Sequence, residues 1–506
     1  MSGTGRRVRD LLVHSRGNVA VMFAVTVSGM VLIGGGGIDL VKVSNNRKYL
    51  QERVDATALY VANGLTSSTL GTASSKAQTK LAAIVEASHG TLSDITTSTT
   101  DGTLTVSATL TTPSSFLGMI GLSNLTATAA STVTWGETSL EVALVLDNTG
   151  SMADSGKIAA LKSAATNLVT TLAGKATTAN TVKFALVPFA NFVNVGSGYS
   201  TATWIDTTGL SPYHSTYFST PLNRFTLYTA LGKPWPGCVE TRPAPYDIDD
   251  TAPSVANPST LFVPSFHPDE PNSSWWYSYA NSYLNDGTNS SNEITKLTNA
   301  SKYTTLYGKD FSNSNFYSNY QVPKGPGFFC DTKPIVRLTT DSTAINTAIN
   351  ALTVAGSTNI PEGVAWGWRM VSPQGPFSDG KSYSSNTLKI VVLLTDGTNS
   401  INTFDTPLGG AYSSWGYPYS GRLGANPGSN LRDGLDAKTR SVCTAIKAKG
   451  IKIYTIGLMI DDASGQQLLS DCSSGSDYYY NSPSAGQLSS VFTSIAQKIV
   501  KLRIAR

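Results

Sequence analysis

The stretch VLDNTGSMADSGK, residues 145–157, decides the fold of this chain. It closes an apolar run and precedes IAALKSAATNLVTTLAG, in which apolar residues recur at helical spacing. We therefore predict a buried strand that ends at Asp147, a short polar turn, and a helix. Functional groups of open α/β sheets gather beyond the carboxyl ends of the strands, so this turn is the first candidate for a functional site.

Working outward, the same alternation of apolar strands and amphipathic helices extends over residues 140–503. This pattern is typical of a mostly parallel sheet with helices on both faces, so we predict an α/β, doubly wound, Rossmann-like domain. Residues 196–332, rich in Tyr, Trp, Ser, Asn and Pro, interrupt the pattern. We predict an inserted subdomain there, because an unstructured loop of that length is improbable in a compact domain. A shorter Gly-, Ser-, Pro- and Tyr-rich insertion covers residues 400–430.

The N-terminal segment is predicted to cross a membrane. Residues 17–38 contain no charged side chain, and at about 1.5 Å per residue this run can cross a hydrocarbon core about 30 Å thick. Four arginines and one aspartate precede the run, which by the positive-inside bias keeps the N-terminus in the cytoplasm. We predict a basic cytoplasmic tail (1–17), a transmembrane helix (18–38) and an exported remainder.

Two alternatives to a membrane span stay open. A cleaved signal peptide is less favoured, because the apolar run is longer than the usual core of about 7–15 residues and no clear small-x-small cleavage site follows it. A buried helix of a soluble protein is the other alternative. Beyond the span, helical spacing continues through a predicted stalk (39–64), followed by a small α+β module (65–136) with a helix near residues 77–88 and strands at TLTVSATL and TATAASTVTW.

Charge and cysteine content narrow the function classes. Only 14% of the residues are charged and the net charge is +4, much of it in the N-terminal tail, so no broad basic face is available and nucleic acid is not an expected partner. All four cysteines follow the span, and an even number in an exported region favours disulfides over metal thiolates. Three connectivities are possible. We favour Cys238–Cys330 and Cys443–Cys472, because each pair lies within one local segment.

Several oxygen-bearing side chains are predicted to meet at the carboxyl edge of the sheet. Asp147 ends one strand and Asp396 ends another, in LLTDGTN. Two carboxylates at one edge repel each other unless a positive charge lies between them. Thr149 and Ser151 alternate with Asp147 in the turn, and the segment AGSTNIPEG supplies Thr358. Such a cluster of hard oxygen atoms suits Mg²⁺, which prefers oxygen ligands and retains several waters.

The motifs DNTGSM, GSTNI and TDG, in this order, resemble the metal-ion-dependent adhesion site of von Willebrand factor A domains. The resemblance covers roughly residues 140–503 without the insertions. It implies that Thr149, Ser151 and Thr358 supply hydroxyl ligands, and that Asp147 and Asp396 bind Mg²⁺, or another divalent cation such as Mn²⁺ or Ca²⁺, directly or through water. Thr149 stands where the common pattern has serine, which preserves the hydroxyl. The alternative is a metal-free helix cap, in which Asp147 and Ser151 satisfy backbone N–H groups.

The N-terminal segments RGNVAVMFAVTVSGMVLIGGGGIDL and LQERVDATALYVA resemble those of TadE- and TadG-type proteins of the tight-adherence (Tad/Flp) pilus system. A span followed by a C-terminal A domain is the TadG arrangement, and GCVETRP, PYDIDDTAP and the closing segment from LLSDC onward add to the resemblance. Met22 stands where pilin-like segments often carry glutamate, which argues against processing and polymerisation like those of a major pilin.

These resemblances imply a non-enzymatic, single-pass protein of the bacterial inner membrane, with its bulk in the periplasm or reaching the cell surface. The expected partner is a protein that offers a carboxylate to the metal: a pilin, another pilus assembly subunit, or a host surface. Two alternatives remain. One is a structural anchor whose degenerate A domain holds no metal. The other is an exported metal-dependent hydrolase, for which the sequence offers no recognisable general base.

Overall fold

The computed structural model describes residues 15–63, 65, 69–100, 103–134, 139–175, 181–272, 279–314, 322–383, 386–403, 406–424 and 431–504. The chain divides into two compact units, residues 1–137 and 138–506. The predicted cytoplasmic tail lies outside the described residues except for positions 15–17, which already belong to a helix. Parts of both predicted insertions also lie outside the described ranges.

In its described residues, the first unit contains two α-helices and a three-stranded antiparallel sheet. Helix α1 spans Ser15–Asn63 and helix α2 spans Ala73–Ile84. Strands β1 (Thr91–Thr100), β2 (Thr103–Pro113) and β3 (Asn124–Thr134) follow one another in the order β1-β2-β3. The sequence predicts β2, β3 and a helix near α2, but α2 begins and ends four residues earlier than predicted, and β1 is not predicted.

The predicted stalk is the core helix of this unit. Alternate residues of β2 are fully buried, as its period-two pattern requires, and they pack against the second half of α1. The buried apolar side chains that α1 contributes are Leu50, Val54, Ala58, Val61 and Ala62. The stalk and the α+β module therefore fold together, because the apolar stripe of the helix has a sheet to cover it.

The first half of α1 has the opposite character. Its apolar side chains are exposed, with Phe23, Val25 and Met30 each more than two-thirds accessible. Within the described residues, the segment Val19–Asn63 is the one helix that is long and apolar enough to cross a membrane. An N-terminal signal sequence meets the same criterion of length and composition.

The second unit is built on a six-stranded mixed sheet. Its strands are β4 (Ser139–Asp147), β5 (Val182–Phe189), β6 (Val336–Thr339), β7 (Thr387–Thr395), β8 (Lys452–Leu458) and β9 (Tyr479–Ser482). The spatial order is β6-β5-β4-β7-β8-β9. All neighbours are parallel except β5 and β6, which are antiparallel. The next two strands in the chain, β5 and β6, therefore lie on one side of β4, and the last three, β7, β8 and β9, lie on the other side.

Helices α3, α7 and α11 cover one face of this sheet, and α8, α9 and α10 cover the other. The α-helices of the second unit in the described residues are α3 (Lys157–Ala173), α4 (Arg224–Leu231), α5 (Glu293–Thr298), α6 (Lys302–Thr305), α7 (Ser342–Asn350), α8 (Ile360–Val371), α9 (Leu431–Ala448), α10 (Ala463–Cys472) and α11 (Leu488–Ile504). Side chains of α3, α7 and α11 join one apolar cluster, and side chains of α8, α9 and α10 join the other. Strands β4 and β7 are buried along their whole length, which explains their continuous apolar sequences. The mixed α/β class predicted from the sequence is confirmed.

The predicted inserted subdomain shares its core with the sheet. Trp204, Phe262 and Tyr283 belong to the same apolar cluster as Val145 of β4 and Trp366 of α8. The described residues of this segment are mostly irregular, and their α-helices are the short α4, α5 and α6. Its backbone is fixed by side-chain packing and hydrogen bonds more than by repeated secondary structure.

Two disulfides tie the second unit together. They join Cys238 to Cys330, across the long insertion, and Cys443 to Cys472, between α9 and α10. These are the two pairs favoured from the sequence. No cysteine in the described residues is free.

Candidate functional site

The candidate site lies where β4 and β7 end side by side in the middle of the sheet. Leu146 pairs with Leu394, so Asp147 and Thr395 are the next residues along two parallel neighbours. The connections leave this point on opposite sides, because β5 lies on one side of β4 and β7 on the other. Such a switch point leaves a crevice outside the carboxyl ends of the strands.

Asp147 is fully buried at the end of β4, and both of its carboxylate oxygens accept hydrogen bonds. Oδ1 accepts from the backbone N–H of Thr149 at 2.8 Å, and Oδ2 accepts from the Thr395 hydroxyl at 2.6 Å. The first contact is a turn of the kind that aspartate commonly makes with its own backbone. Asp147 thus satisfies one backbone N–H group, as the metal-free alternative expects, but this contact is a turn and not a helix cap.

Asp396 lies directly after β7, and its side chain is also buried. Its Oδ1 accepts a hydrogen bond from the Ser151 hydroxyl at 2.7 Å, and its Oδ2 accepts one from the Lys157 ammonium at 2.8 Å. The Thr149 hydroxyl lies 3.2 Å from that of Ser151. Ser151 therefore bridges the turn after β4 to the carboxylate after β7, and it does not cap a helix.

Thr358 reaches the same place from the loop that precedes α8. A Cβ placed on Gly397, the residue after Asp396, would lie 3.7 Å from the Thr358 hydroxyl. The loop is held there by two backbone hydrogen bonds, from Gly150 N–H to the carbonyl of Gly356 at 3.0 Å and from Ser400 N–H to the carbonyl of Thr358 at 2.8 Å. The five residues predicted from the sequence thus come from three loops at one edge of the sheet.

The two carboxylates repel each other even though the Lys157 ammonium lies beside Asp396. Burial, and after it the negative charge of Asp396, raise the pKa of Asp147 from 3.8 to about 7. The hydrogen bonds from Thr149 and Thr395 oppose this shift only in part. A divalent cation at this edge would add positive charge to that of Lys157, relieve the remaining repulsion and lower the pKa of Asp147.

The donor set fits a divalent cation that prefers oxygen. Two carboxylates and three hydroxyls supply a small negative charge, and the exposed Ser151 leaves one side of the cluster open to water. In the described residues there is no group of three or more His, Cys, Asp or Glu side chains that could hold a metal ion. A site at this edge therefore depends on hydroxyl ligands.

Two residues of the site were not predicted from the sequence. Thr395 donates to Asp147, and Lys157 forms an ion pair with Asp396 across 239 positions of the chain. Lys157 is the first residue of α3, where the helix dipole disfavours a cation, so a basic residue at that position next to two predicted acidic ends was an available signal. Its ammonium already neutralises one of the carboxylates.

The shorter insertion contacts the residue that follows Thr358, and the longer insertion contacts the shorter one. The Asn359 side chain donates to the Ser414 hydroxyl at 2.9 Å and accepts from the indole N–H of Trp415 at 3.1 Å, both in the shorter insertion. Ser414 in turn accepts, through its carbonyl, from the backbone N–H of Thr241 at 2.8 Å, in the longer insertion. The position of the Thr358 loop therefore depends on both insertions.

No protein-family model matches this chain, and no curated protein sequence matches it. Solved structures do match it, and those described below are 10–14% identical to it. The pilus adhesin SpaC from Lactobacillus rhamnosus GG, in an open conformation, is 14% identical with a TM-score of 0.32. The match covers 80% of this chain and 33% of the SpaC chain, so this chain spans about a third of that protein.

Two further structures extend the comparison. The vWF domain of the type V pili tip protein Mfa5 from Porphyromonas gingivalis is 10% identical with a TM-score of 0.34, over 72% of this chain and 96% of that one. Proximal thread matrix protein 1 from the mussel byssus, with a zinc-occupied MIDAS motif, is 12% identical with a TM-score of 0.30, over 72% and 46%. Likeness at these TM-scores carries no argument about function.

Proposed function

We propose that this chain is a membrane-anchored, non-enzymatic component of a bacterial Tad/Flp pilus system, and that its second unit is a von Willebrand factor A domain. It binds a protein partner through a divalent cation, for which Mg²⁺ is the first candidate. The residues that hold this cation are Asp147, Thr149, Ser151, Thr358 and Asp396. The observation that carries the proposal is the convergence of these five side chains at the switch point of the sheet.

The carboxylates and the hydroxyls of the site contribute differently to cation binding. Asp147 and Asp396 supply the negative charge, and the three hydroxyls complete the oxygen shell without adding to it. When bound, the cation supplies an open coordination position that a partner carboxylate can occupy. The insertions fix the loop that carries Thr358, so they govern the shape of the surface around that position.

Membrane anchoring is the second part of the proposal. It is supported by the exposed apolar first half of α1 and by the arginines that precede it in the sequence. On this basis α1 crosses the inner membrane once with its N-terminus in the cytoplasm, and the second unit is exported. Two disulfides suit such an oxidising location.

A metal-free scaffold is the second candidate function, and one observation favours it. The Lys157 ammonium occupies one oxygen of Asp396, and hydroxyl or backbone donors occupy the other three carboxylate oxygens of the pair. A domain of this kind can hold its carboxylates without a metal. The two candidate functions predict different effects of replacing Asp147 on piliation and adherence.

The test replaces the native gene by one that encodes Asp147→Ala and scores piliation and surface adherence. Asp154→Ala is the matched control, because Asp154 is an exposed aspartate of the same loop. The proposed function predicts loss of adherence for Asp147→Ala alone, with normal amounts of protein in the membrane. Normal piliation and adherence of both variants would favour the scaffold, and chelator-sensitive hydrolysis of esters or phosphates by the purified protein would favour a hydrolase.

A further inference from the structure

The first unit has an apolar loop at the end nearest to the apolar half of α1. This interface loop, residues 114–123, connects β2 to β3 and contains the sequence SSFLGMIGLS. Three of its large apolar side chains are exposed to solvent: Met119 by 74%, Ile120 by 57% and Leu122 by 54%. A contiguous group of exposed apolar side chains is typical of a surface that contacts another protein or a membrane.

Contacts along α1 place the loop at a definite height on the helix. Asn46 donates to the Thr112 hydroxyl at 2.8 Å, and Lys42, one turn earlier, donates to the carbonyl of Pro113 at 3.1 Å. One turn earlier again, Asp39 is fully buried and accepts hydrogen bonds from three successive backbone N–H groups of the loop. These donors are Ser115, Phe116 and Leu117, at 2.8–2.9 Å.

The glycine run of α1 continues this series of contacts. A Cβ on Gly35 would overlap the ring of Phe116, and a Cβ on Gly36 would lie 3.2 Å from the Leu117 side chain. These glycines therefore allow the loop to lie directly against the helix. From Asn46 to Gly35 the contacts descend about 16 Å along α1 at 1.5 Å per residue. The loop thus reaches the last turn of the uncharged run 17–38.

The helix surface around this height is itself exposed and apolar. Met30, Ile33 and Ile38 are each at least 59% accessible. The exposed side chains of the loop and those of α1 lie at the same end of the unit. The positively charged Lys42, Arg47 and Lys48 follow Ile38 within about three turns, on the side where lipid phosphate groups would lie.

We propose that the interface loop is a second membrane contact, in which Met119, Ile120 and Leu122 enter the outer boundary of the same bilayer that α1 crosses. The inference rests on the proposed membrane anchoring of α1. The lipid bilayer is the occupant because the loop continues the apolar surface of the helix. The buried Asp39 fixes the loop against the helix, so the loop sets how deeply and at what tilt the first unit sits on the membrane.

The test uses the full chain in liposomes of phosphatidylcholine and phosphatidylglycerol, with a nitroxide attached at Ile120→Cys. The four native cysteines are paired and do not take the label. Collisions of the label with oxygen, which enriches in lipid, are compared with collisions with a water-soluble nickel chelate. Val25→Cys reports whether α1 is inserted, and Ser98→Cys, at the far end of the sheet, reports water.

We expect the label at position 120 to favour oxygen over nickel, as the label at 25 does and the label at 98 does not. If position 25 lies in lipid while position 120 is as accessible to nickel as position 98, the loop does not enter the membrane, although the anchor stands. If the label at 120 is shielded from both quenchers, protein covers the loop and the proposal is wrong. Nickel access at position 25 would overturn the anchor and the loop contact together.

Discussion

Lys157 is the residue that distinguishes the two candidate functions most sharply. Its ammonium donates to Asp396 at 2.8 Å and its side chain is only 12% exposed, so it acts as a tethered cation at the edge where a metal is proposed. A divalent ion has to share Asp396 with it or displace it. The lysine therefore stabilises the metal-free protein and weakens metal binding.

We predict that Lys157→Met raises the affinity for Mg²⁺ and lowers the melting temperature in a chelator. A hydrogen bond to a charged group contributes about 1.5–3 kcal/mol, so the dissociation constant should fall by roughly tenfold or more. Calorimetric titration measures the first effect and thermal unfolding in chelator the second. Lys162→Met, on the same helix, should change neither. Unchanged Mg²⁺ affinity in Lys157→Met would show that the ammonium does not compete.

The raised pKa of Asp147 predicts that the stability of the metal-free protein depends on pH. Its pKa of about 7 in the folded state exceeds the unfolded value of 3.8, so the folded protein binds this proton more tightly. Stability from this group is complete below about pH 4 and is lost as the pH rises toward 7. Other buried acids such as Asp269, whose burial raises its pKa to about 6, act in the same direction. The measurement is therefore the difference between wild type and Asp147→Asn.

In a chelator, the wild type should lose more stability than Asp147→Asn between pH 4 and pH 7.5. Denaturant unfolding at several pH values gives the two curves. Excess Mg²⁺ at pH 7.5 should restore the wild type and leave Asp147→Asn unchanged. Parallel curves in the chelator would show that the pKa of Asp147 is not raised in the folded protein.

At the scale of elements, helix α8 shows where sequence reasoning stops. Strands β4, β5, β7 and β8 and helices α3, α7, α9 and α11 follow from apolar periodicity. Helix α8 does not, because it is buried along its whole length and carries Pro361, Gly363 and Gly367. The proline stands in the first turn, where it is tolerated, and the glycines serve packing against the sheet, so neither weakens this helix as propensity suggests. Strands β6 and β9 are too short, at four residues each, to give a pattern.

The candidate site, like the fold, was predictable from the sequence in part. Asp147, Thr149, Ser151, Thr358 and Asp396 stand at ends of predicted strands or in adjacent loops, and strand order alone brings such ends together. Thr395 and Lys157 were not predicted, because their partners are 248 and 239 positions away and the contacts depend on side-chain geometry. The disulfides were predictable because each pair of cysteines lies within one segment of the chain, Cys238 and Cys330 in the long insertion and Cys443 and Cys472 on the successive helices α9 and α10.

Helix α8 also gives a prediction about packing. A Cβ on Gly363 would lie 2.6 Å from Cγ and 3.1 Å from Cβ of Phe189 in β5, which is fully buried. Gly363→Ala should therefore destabilise the second unit by about 1–3 kcal/mol, although alanine is the better helix former. Denaturant unfolding measures the change. Ser163→Ala, at an exposed position of α3, is the control and should be neutral or slightly stabilising. A stabilised Gly363→Ala would refute the close packing of α8.

At the scale of the whole molecule, the two disulfides are expected to stabilise the second unit unequally. Their sequence separations are 29 residues for Cys443–Cys472 and 92 for Cys238–Cys330. In the chain-entropy model, removal by paired serine substitutions costs about 3–4 kcal/mol for the shorter loop and about 4–5 kcal/mol for the longer. Denaturant unfolding of the two double variants tests this order. Non-reduced peptide mapping that finds Cys330 joined to Cys443 would contradict the pairing itself.

The central claim is that Asp147, Thr149, Ser151, Thr358 and Asp396 form one divalent-metal site. Calorimetric titration of Mg²⁺ into the purified chain tests it most directly, with Asp147→Ala and the exposed Asp154→Ala side by side. We expect one saturable site in wild type and Asp154→Ala, and no measurable binding in Asp147→Ala. Equal Mg²⁺ binding by wild type and Asp147→Ala, or no binding by any of the three proteins, would contradict the account.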